Sequence, residues 1–297
     1  MARSAALAAA VLGALLGPAA ALRKAALEAG VGLADWTYYP PNAQLGIVTG
    51  GPPEAYTKMN FGAHTASIML KYAQKHNYAF FVEKNLPKLG NRKMYWNKVI
   101  LMHKLLREVP MLVWMDPEVI IRELDTPFEE LIQTAKCDGT EQKETVKYLS
   151  PKARNDTFMY LNSDKSPFQF PLNANTGVVV LKRTPDAFSF LSKVWNVGED
   201  PDAFKKHRDA LAFLKKDSTS PGYGWPYEQG AFWDVLLQDH DYLRKTCIAA
   251  GTHFHSVRAY LYSKGAFAHN FHGMPAQSVK EQAHLMIVNS HFKPEIH

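Results

Sequence analysis

Cysteine is nearly absent from this chain: 297 residues hold two, Cys137 and Cys247. Neither stands in a Cys-x-x-Cys or zinc-type spacing, which excludes thiol redox motifs and structural zinc knuckles. In an oxidising compartment the two would be able to pair, but spacing alone does not show proximity. A run of lysines and arginines long enough for a nucleic-acid arm is also missing, although the net charge is +6. There is no Gly-x-Gly-x-x-Gly, so the dinucleotide fingerprint is excluded. No repeat and no Pro/Ser-rich linker divides the chain, and a single domain from residue 35 to residue 297 is the expectation. Beyond residue 22 no apolar stretch is long enough to cross a bilayer.

Ala5 to Leu22 is an Ala/Leu stretch between Arg3 and the pair Arg23-Lys24. Two readings stand for residues 1–25: a signal peptide cleaved near Ala19-Ala20-Ala21, or an uncleaved anchor at residues 5–22 that makes a type II membrane protein. Either one directs the rest of the chain into the endomembrane lumen, or outside the cell if the leader is removed. Asn155-Asp156-Thr157 is a glycosylation sequon that matters only in that compartment.

The most informative segment is Met111-Leu-Val-Trp-Met-Asp-Pro-Glu-Val-Ile-Ile121. Its apolar half, bounded by Pro110 and Pro117, reads as a buried strand. It ends in Asp116 and Glu118, and carboxylates at the mouth of a buried strand are costly to desolvate. Two carboxylates two residues apart in extended backbone share a face, and Pro117 keeps Asp116 extended. Hard oxygen donors in that pattern suit Mn²⁺ or Mg²⁺. The same residues also describe a plain strand-to-turn Asp-Pro with a solvated Glu.

Other buried strands are predicted at Gln44–Thr49, running into Gly50-Gly51-Pro52-Pro53, at Tyr78–Val82 and at Thr176–Lys182. Helices are predicted over Phe61–Asn77, with Ile68, Leu70, Tyr72 and Ala73 buried, and over Lys93–Val109, with Trp96, Val99, Ile100, His103 and Leu106 inward. Further helices start at Thr126-Pro127, at Thr184-Pro185 and at Pro226-Tyr227-Glu228-Gln229. Asp35–Asn42 reads as linker and Cys137–Phe170 as an irregular surface excursion. Strands alternating with helices imply an α/β fold with a mainly parallel sheet. Trp114, Trp195 and Trp233 lie in apolar elements and read as core. Tyr223, Trp225 and Tyr227, in a Gly/Pro loop, are better placed to stack on a sugar. The stretch from His240 onward holds eight of the twelve histidines.

Several segments in order resemble one family. They are Tyr95-Trp96-Asn97-Lys98, Met115-Asp116-Pro117-Glu118, Asn175-Thr176-Gly177 with its apolar strand, Glu228-Gln229-Gly230-Ala231-Phe232-Trp233, and His269-Asn270-Phe271-His272-Gly273. Together they resemble glycosyltransferase family 34, which holds galactosyl-, mannosyl- and xylosyltransferases, over roughly residues 44 to 280. The resemblance implies a GT-A fold, a nucleoside-diphosphate sugar donor, a glycan or glycoprotein acceptor, a Mn²⁺-type cofactor, retention of anomeric configuration and a Golgi location. It implies metal ligation by Asp116, Glu118 and His269, with His272 as the alternative. Thr49, Gly50, Lys98, Asp116 and Lys280 would bind the donor, and Glu228, Gln229 and Asn175 would serve the reaction. The chain departs from the family in having Glu118 for the second Asp, Asn270 at the usual histidine, and Met274 for a cysteine. Those departures support an alternative reading: a GT-A domain that binds sugar or nucleotide, or scaffolds a partner, without turnover. A phosphatase or nuclease would call for a richer carboxylate and histidine cluster.

Overall fold

The computed structural model describes residues 37–56, 61–84, 94–138, 152–163, 172, 174–197, 228–249, 253–255, 266–271 and 278–282. The leader, the whole of Glu199–Ser220, the aromatic loop Tyr223–Tyr227 and His272 lie outside the described residues. In chain order the elements are β1 (Leu45–Gly50), α1 (Pro53–Tyr56), α2 (Phe61–His76), β2 (Ala79–Glu83) and α3 (Asn97–Leu105), the last entered through a tight turn at Met94–Trp96. Next come β3 (Met111–Met115), β4 (Val119–Ile121), α4 (Phe128–Thr134), β5 (Met159–Ser163) and β6 (Ala174–Lys182). The rest are α5 (Pro185–Val197), α6 (Glu228–Gln238), α7 (His240–Arg244), β7 (Thr246–Ala249) and β8 (Ala268–Asn270).

Six strands form one sheet in the order β2-β1-β3-β6-β5-β7, and β4 and β8 form a separate pair. β1 pairs in parallel with β2 and β3, and β5 with β7. β6 runs antiparallel to both its neighbours. Only β6 is reversed, so the sheet is mainly parallel, as the alternation of strands and helices predicts. The reversal also has a positional effect. The first residues of β6 arrive at the sheet edge where β1 and β3 end.

Both faces of the sheet are covered, which is why its strands read as near-continuous apolar runs. On one face Ile47, Phe80, Val113, Val178 and Val180 pack against Ile68, Met69, Tyr72 and Ala73 of α2 and against Phe128 and Leu131 of α4. On the other, Val48, Leu112, Trp114, Val179 and Leu181 meet Val99 and Met102 of α3, Phe190 and Val194 of α5, and Phe232 and Leu236 of α6. Fully burying one such side chain contributes about 1.5–3 kcal/mol before chain entropy is charged against it. Trp233 is core, donating its indole N–H to the Ala174 carbonyl at 2.7 Å, and Trp114 is buried as well. Trp195 is half-buried, edge-on to Trp96.

Several local expectations change. Cys137–Phe170 is not all surface excursion: β5 is fully buried between β6 and β7. Its polar residues Asn162 and Ser163 hid a strand whose hydrogen bonds are all long-range. Ile100 faces solvent at 37% exposure, because the buried face of α3 runs through Lys98, Met102 and Leu105. His103 and Leu70 are half-buried. Pro127, in extended backbone, occupies the N-cap of α4, where no side chain caps the helix. The supposed linker contributes Tyr38, which pairs with Phe80. Thr184 does cap α5, accepting from the Ala187 N–H at 3.2 Å. Cys137, just after α4, and Cys247, in β7, form a disulfide across 110 residues of sequence.

Candidate active site

The acidic motif is a tight turn between β3 and β4. The Val119 N–H donates to the Asp116 carbonyl at 2.9 Å, and the Asp116 N–H donates to the Gly177 carbonyl at 2.8 Å. Helix α2 holds the turn from one side, where the Thr65 hydroxyl donates to the Pro117 carbonyl at 2.6 Å. The C-terminal segment holds it from another: β8 pairs with β4, and the Phe271 N–H donates to the Glu118 carbonyl at 3.3 Å. The backbone around both carboxylates is therefore fixed by three separate parts of the chain.

Lys98 lies at the centre of the charge arrangement. It projects from the first turn of α3 and is 4% exposed. Its ammonium donates to the Thr176 carbonyl at 3.0 Å and to Glu228 Oε1 at 2.8 Å, and stands 2.8 Å from Asp116 Oδ1. Those three acceptors match its three hydrogens. Lys98, expected to bind the donor, ties together the ends of β3, β6 and α6. Burial works against its charge, but Asp116 and Glu228 outweigh that and hold its pKa above the usual range. Asp116 Oδ1 also accepts from the Trp114 indole at 2.6 Å. Burial raises the Asp116 pKa, Lys98 opposes the shift, and Glu118 and Glu228 reinforce it.

Beside this cluster the first residues of β6 present two amides. Asn175 Oδ1 accepts from the Gly177 N–H at 2.7 Å and makes a 3.0 Å hydrogen bond with His255 Nε2. Gln229 Oε1 accepts from the Thr176 N–H at 3.0 Å, which leaves its amino group to donate elsewhere. Glu228 Oε1 takes both Lys98 and the Thr176 hydroxyl, the latter at 3.3 Å. Asn270 is packed over Gly177: a Cβ added to Gly177 would stand 2.2 Å from Asn270 Nδ2 and 2.9 Å from Asn175 Oδ1. Gly177 is thus a place where only the absence of a side chain lets two amides meet. Gly177→Ala is expected to cut turnover about 100-fold, the scale of an ångström-sized misplacement. Product release measured beside a melting curve checks this, and activity within twofold of the unaltered protein would contradict it.

At the end of β1, Thr49 and Tyr56 are buried, and apart from each other their hydroxyls find no hydrogen-bond partner among the described residues. Burial raises the Tyr56 pKa, and the charges of Glu118, Glu83 and Asp116 act in the same direction. The phenol therefore stays protonated and able to donate. Gly50 is buried at the same strand end. Lys280 lies half-buried in the helical segment 278–282.

His269 is placed differently from the carboxylates. It pairs with Ile120 in the small sheet, where alternation sends it to the face opposite Asn270. Burial, and then Arg122, push its pKa down to about 4. Among the described residues no group of three or more His, Cys, Asp or Glu side chains is gathered to hold a metal ion. The donor set of the turn still suits a divalent cation. Three carboxylates, Asp116, Glu118 and Glu228, gather there, and two of them, Asp116 and Glu228, share the Lys98 ammonium.

Reading along the chain missed Tyr56 and His255, and gave Thr176 no role although it lies inside the Asn175-Thr176-Gly177 segment. Tyr56 follows shortly after Gly50–Pro53, a segment already singled out. Nothing local marks His255.

No curated protein sequence matches the chain. Among solved structures, a glycosyltransferase involved in the glycosylation of the major capsid of PBCV-1 superposes with TM-score 0.54 at 14% identity, over 81% of this chain and 98% of that one. Mouse xyloside xylosyltransferase 1 gives TM-score 0.41 at 11% identity, over 78% and 98% of the two chains. The galactosyltransferase LgtC gives 0.37 at 11%, over 80% and 95%. The fold is of the GT-A glycosyltransferase type. The profile of the galactosyl transferase GMA12/MNN10 family matches residues 47–248, more than half of the sequence, and the chain belongs to that family.

Proposed function

We propose that this glycosyltransferase moves a hexosyl or pentosyl group from a nucleoside-diphosphate sugar to a hydroxyl of a glycan or glycoprotein, with a divalent cation and with retention of configuration. The observation that carries the reading is the gathering of carboxylates at the mouth of β3, where Asp116 and Glu118 share a turn fixed by its backbone beside Glu228. Asp116 and Glu118 would hold Mn²⁺ or Mg²⁺, with His269 or His272 of the C-terminal segment as third ligand. The cation would offset the charge of the leaving diphosphate.

The chain's own groups divide the remaining work. The buried hydroxyls of Thr49 and Tyr56 would supply hydrogen bonds to the donor at the end of β1, beside the Gly50-Gly51 backbone. Asn175 and Gln229 each have Oδ1 or Oε1 engaged by the backbone of β6, so their amino groups can donate to sugar hydroxyls. Lys98 holds Asp116 and Glu228 in place. In a front-side displacement the acceptor oxygen forms its bond to the anomeric carbon on the face the diphosphate leaves. The acceptor's proton passes to the departing phosphate oxygen. The test is a screen of nucleoside-diphosphate sugars for nucleotide release, with and without Mn²⁺. Release that persists in excess chelator refutes the metal assignment. No release from any donor favours the binding or scaffolding reading, which the Asn270 and Glu118 departures support.

The Golgi lumen or a neighbouring endomembrane compartment is the proposed location. The Cys137–Cys247 disulfide supports an oxidising environment. Among the described residues no helix is long and apolar enough to cross a membrane, and an anchor would lie in residues 5–22. Asn155 is exposed in a turn, with the Thr157 hydroxyl accepting from the Arg154 N–H. Protein made in a eukaryotic secretory host is expected to carry one glycan there. Endoglycosidase should reduce its mass and leave Asn155→Gln unchanged. An unshifted wild-type band would count against lumenal entry.

A further inference from the structure

We infer that His255 is a positioning residue for the transfer reaction, fixing which way the Asn175 amide points. The inference rests on the transferase reading above but concerns a residue outside its machinery.

The argument starts from a group whose role is not adjustable. The Gly177 N–H is a backbone donor and must meet an acceptor, and it meets the Asn175 side chain at 2.7 Å. The oxygen of that amide, not its nitrogen, therefore faces Gly177. The same oxygen lies 3.0 Å from His255 Nε2. An oxygen already receiving one hydrogen can only accept another, so Nε2 carries the ring hydrogen and Nδ1 the lone pair. His255 is completely buried, and its Nδ1 has no hydrogen-bond partner among the described residues. Burial, and then the Lys98 charge, push its pKa down to about 3, so the ring is neutral and a single tautomer is specified.

The ring is itself anchored. Asn162 stands opposite Asn175 in the β5–β6 register, just past a shift where β6 carries the unmatched residues Thr176 to Val178. Its Nδ2 donates to the His255 carbonyl at 2.9 Å, and its Oδ1 accepts from the Phe254 N–H at 3.1 Å. Segment 253–255 is thereby fastened to β5, and β5 in turn places the imidazole on Asn175. A histidine leaving one nitrogen orphaned in the core is a poor structural filler. Its evident use is the second donor on Asn175 Oδ1. With two donors on that oxygen the amide cannot rotate, and its amino group stays directed at the substrate.

A double-mutant cycle tests this, using nucleoside-diphosphate release from whichever nucleoside-diphosphate sugar the donor screen identifies, with Mn²⁺ present. His255→Leu is expected to lower kcat about tenfold while KM for the donor changes by less than about twofold, since the nucleotide end is untouched. His255→Gln keeps an N–H donor and should recover most of that loss. In an Asn175→Ala background, His255→Leu should cost less than about twofold more. Nitrogen-15 NMR of the histidine ring at neutral pH should report the Nε2–H tautomer. Full additivity of the two substitutions, or failure of His255→Gln to exceed His255→Leu, assigns His255 to packing and overturns the inference alone. An Nδ1–H tautomer overturns it as well. A wild-type protein that turns over no nucleoside-diphosphate sugar removes the parent reading, and the inference falls with it.

Discussion

Glu118→Ala is expected to lose at least about 100-fold in metal-dependent turnover while melting within about 2 °C of the wild-type protein. Disturbing groups that merely support a ligand costs about 10- to 100-fold in metal affinity. Removing a proposed ligand should therefore exceed that range. The fold should survive because the turn is held through backbone atoms: the Glu118 carbonyl accepts from Phe271 whatever side chain residue 118 carries. Glu118 is also half-exposed, so its loss opens no cavity in the core. Glu118→Asp should recover part of the activity, since it keeps a carboxylate at the position where the family usually has its second Asp. Mn²⁺ titration of nucleotide release from both variants measures the effect. Glu118→Ala turning over at the wild-type rate would remove Glu118 from the metal site.

The second large effect is on stability. Lys98→Met is expected to destabilise the protein by about 3–5 kcal/mol, because it strands two carboxylates that share one buried cation. For a domain of this size that corresponds to a fall in Tm of roughly 10 °C. Glu228 is nearly inaccessible, with its side chain 6% exposed, whereas Asp116 at 19% has some solvent to fall back on. Lys98→Arg should rescue little, since three acceptors converge on one ammonium and a planar guanidinium does not fit them. The deficit also depends on pH. Asp116 has a folded-state pKa above its unfolded value, because burial dominates its surroundings. A raised carboxylate pKa favours the folded state below the unfolded pKa, and that contribution is lost as pH rises through the folded value. Without Lys98 the Asp116 carboxyl loses the charge that opposes its rise and shifts further up. The variant should approach the wild-type protein near pH 4 and fall furthest behind it at neutral pH. Melting curves across that range decide the matter, and a constant difference would show that the carboxylates are not the source.

Lys98 also shows where reading along the chain stops. Its helix was legible, since apolar residues recur there at helical spacing between polar ends. The inward face was misjudged because a lysine is ordinarily solvated, and periodicity alone assigned Ile100 to the core. Only the two carboxylates, 18 and 130 residues away in sequence, make a buried Lys98 sensible. The strands β1, β2, β3 and β6 were readable for the opposite reason. They are covered on both faces, so each is a continuous apolar run between Gly, Pro or polar stops. β5 escaped notice because its end carries Asn162 and Ser163, whose polarity serves segment 253–255. Within the candidate site, Asp116 and Glu118 stood out locally, whereas Asn175, Glu228 and Gln229 were singled out through the resemblance to the family. The bond from His255 to Asn175 spans 80 residues and left no local trace.

The disulfide carries a consequence for how the protein is made. Cys137 emerges from the ribosome well before Cys247, which follows 110 residues later. At ordinary synthesis speeds of about 5–20 residues per second the first thiol waits on the order of ten seconds for its partner. In most secreted proteins such a delay invites mispairing and later reshuffling. With two cysteines in the whole chain there is one intramolecular pairing to be made, so oxidation has no wrong connectivity within the chain to trap. The remaining hazard is a bond between two chains, and it grows with concentration. Expression that is slow and dilute in an oxidising compartment should therefore yield more correctly closed monomer than the same amount of protein made quickly.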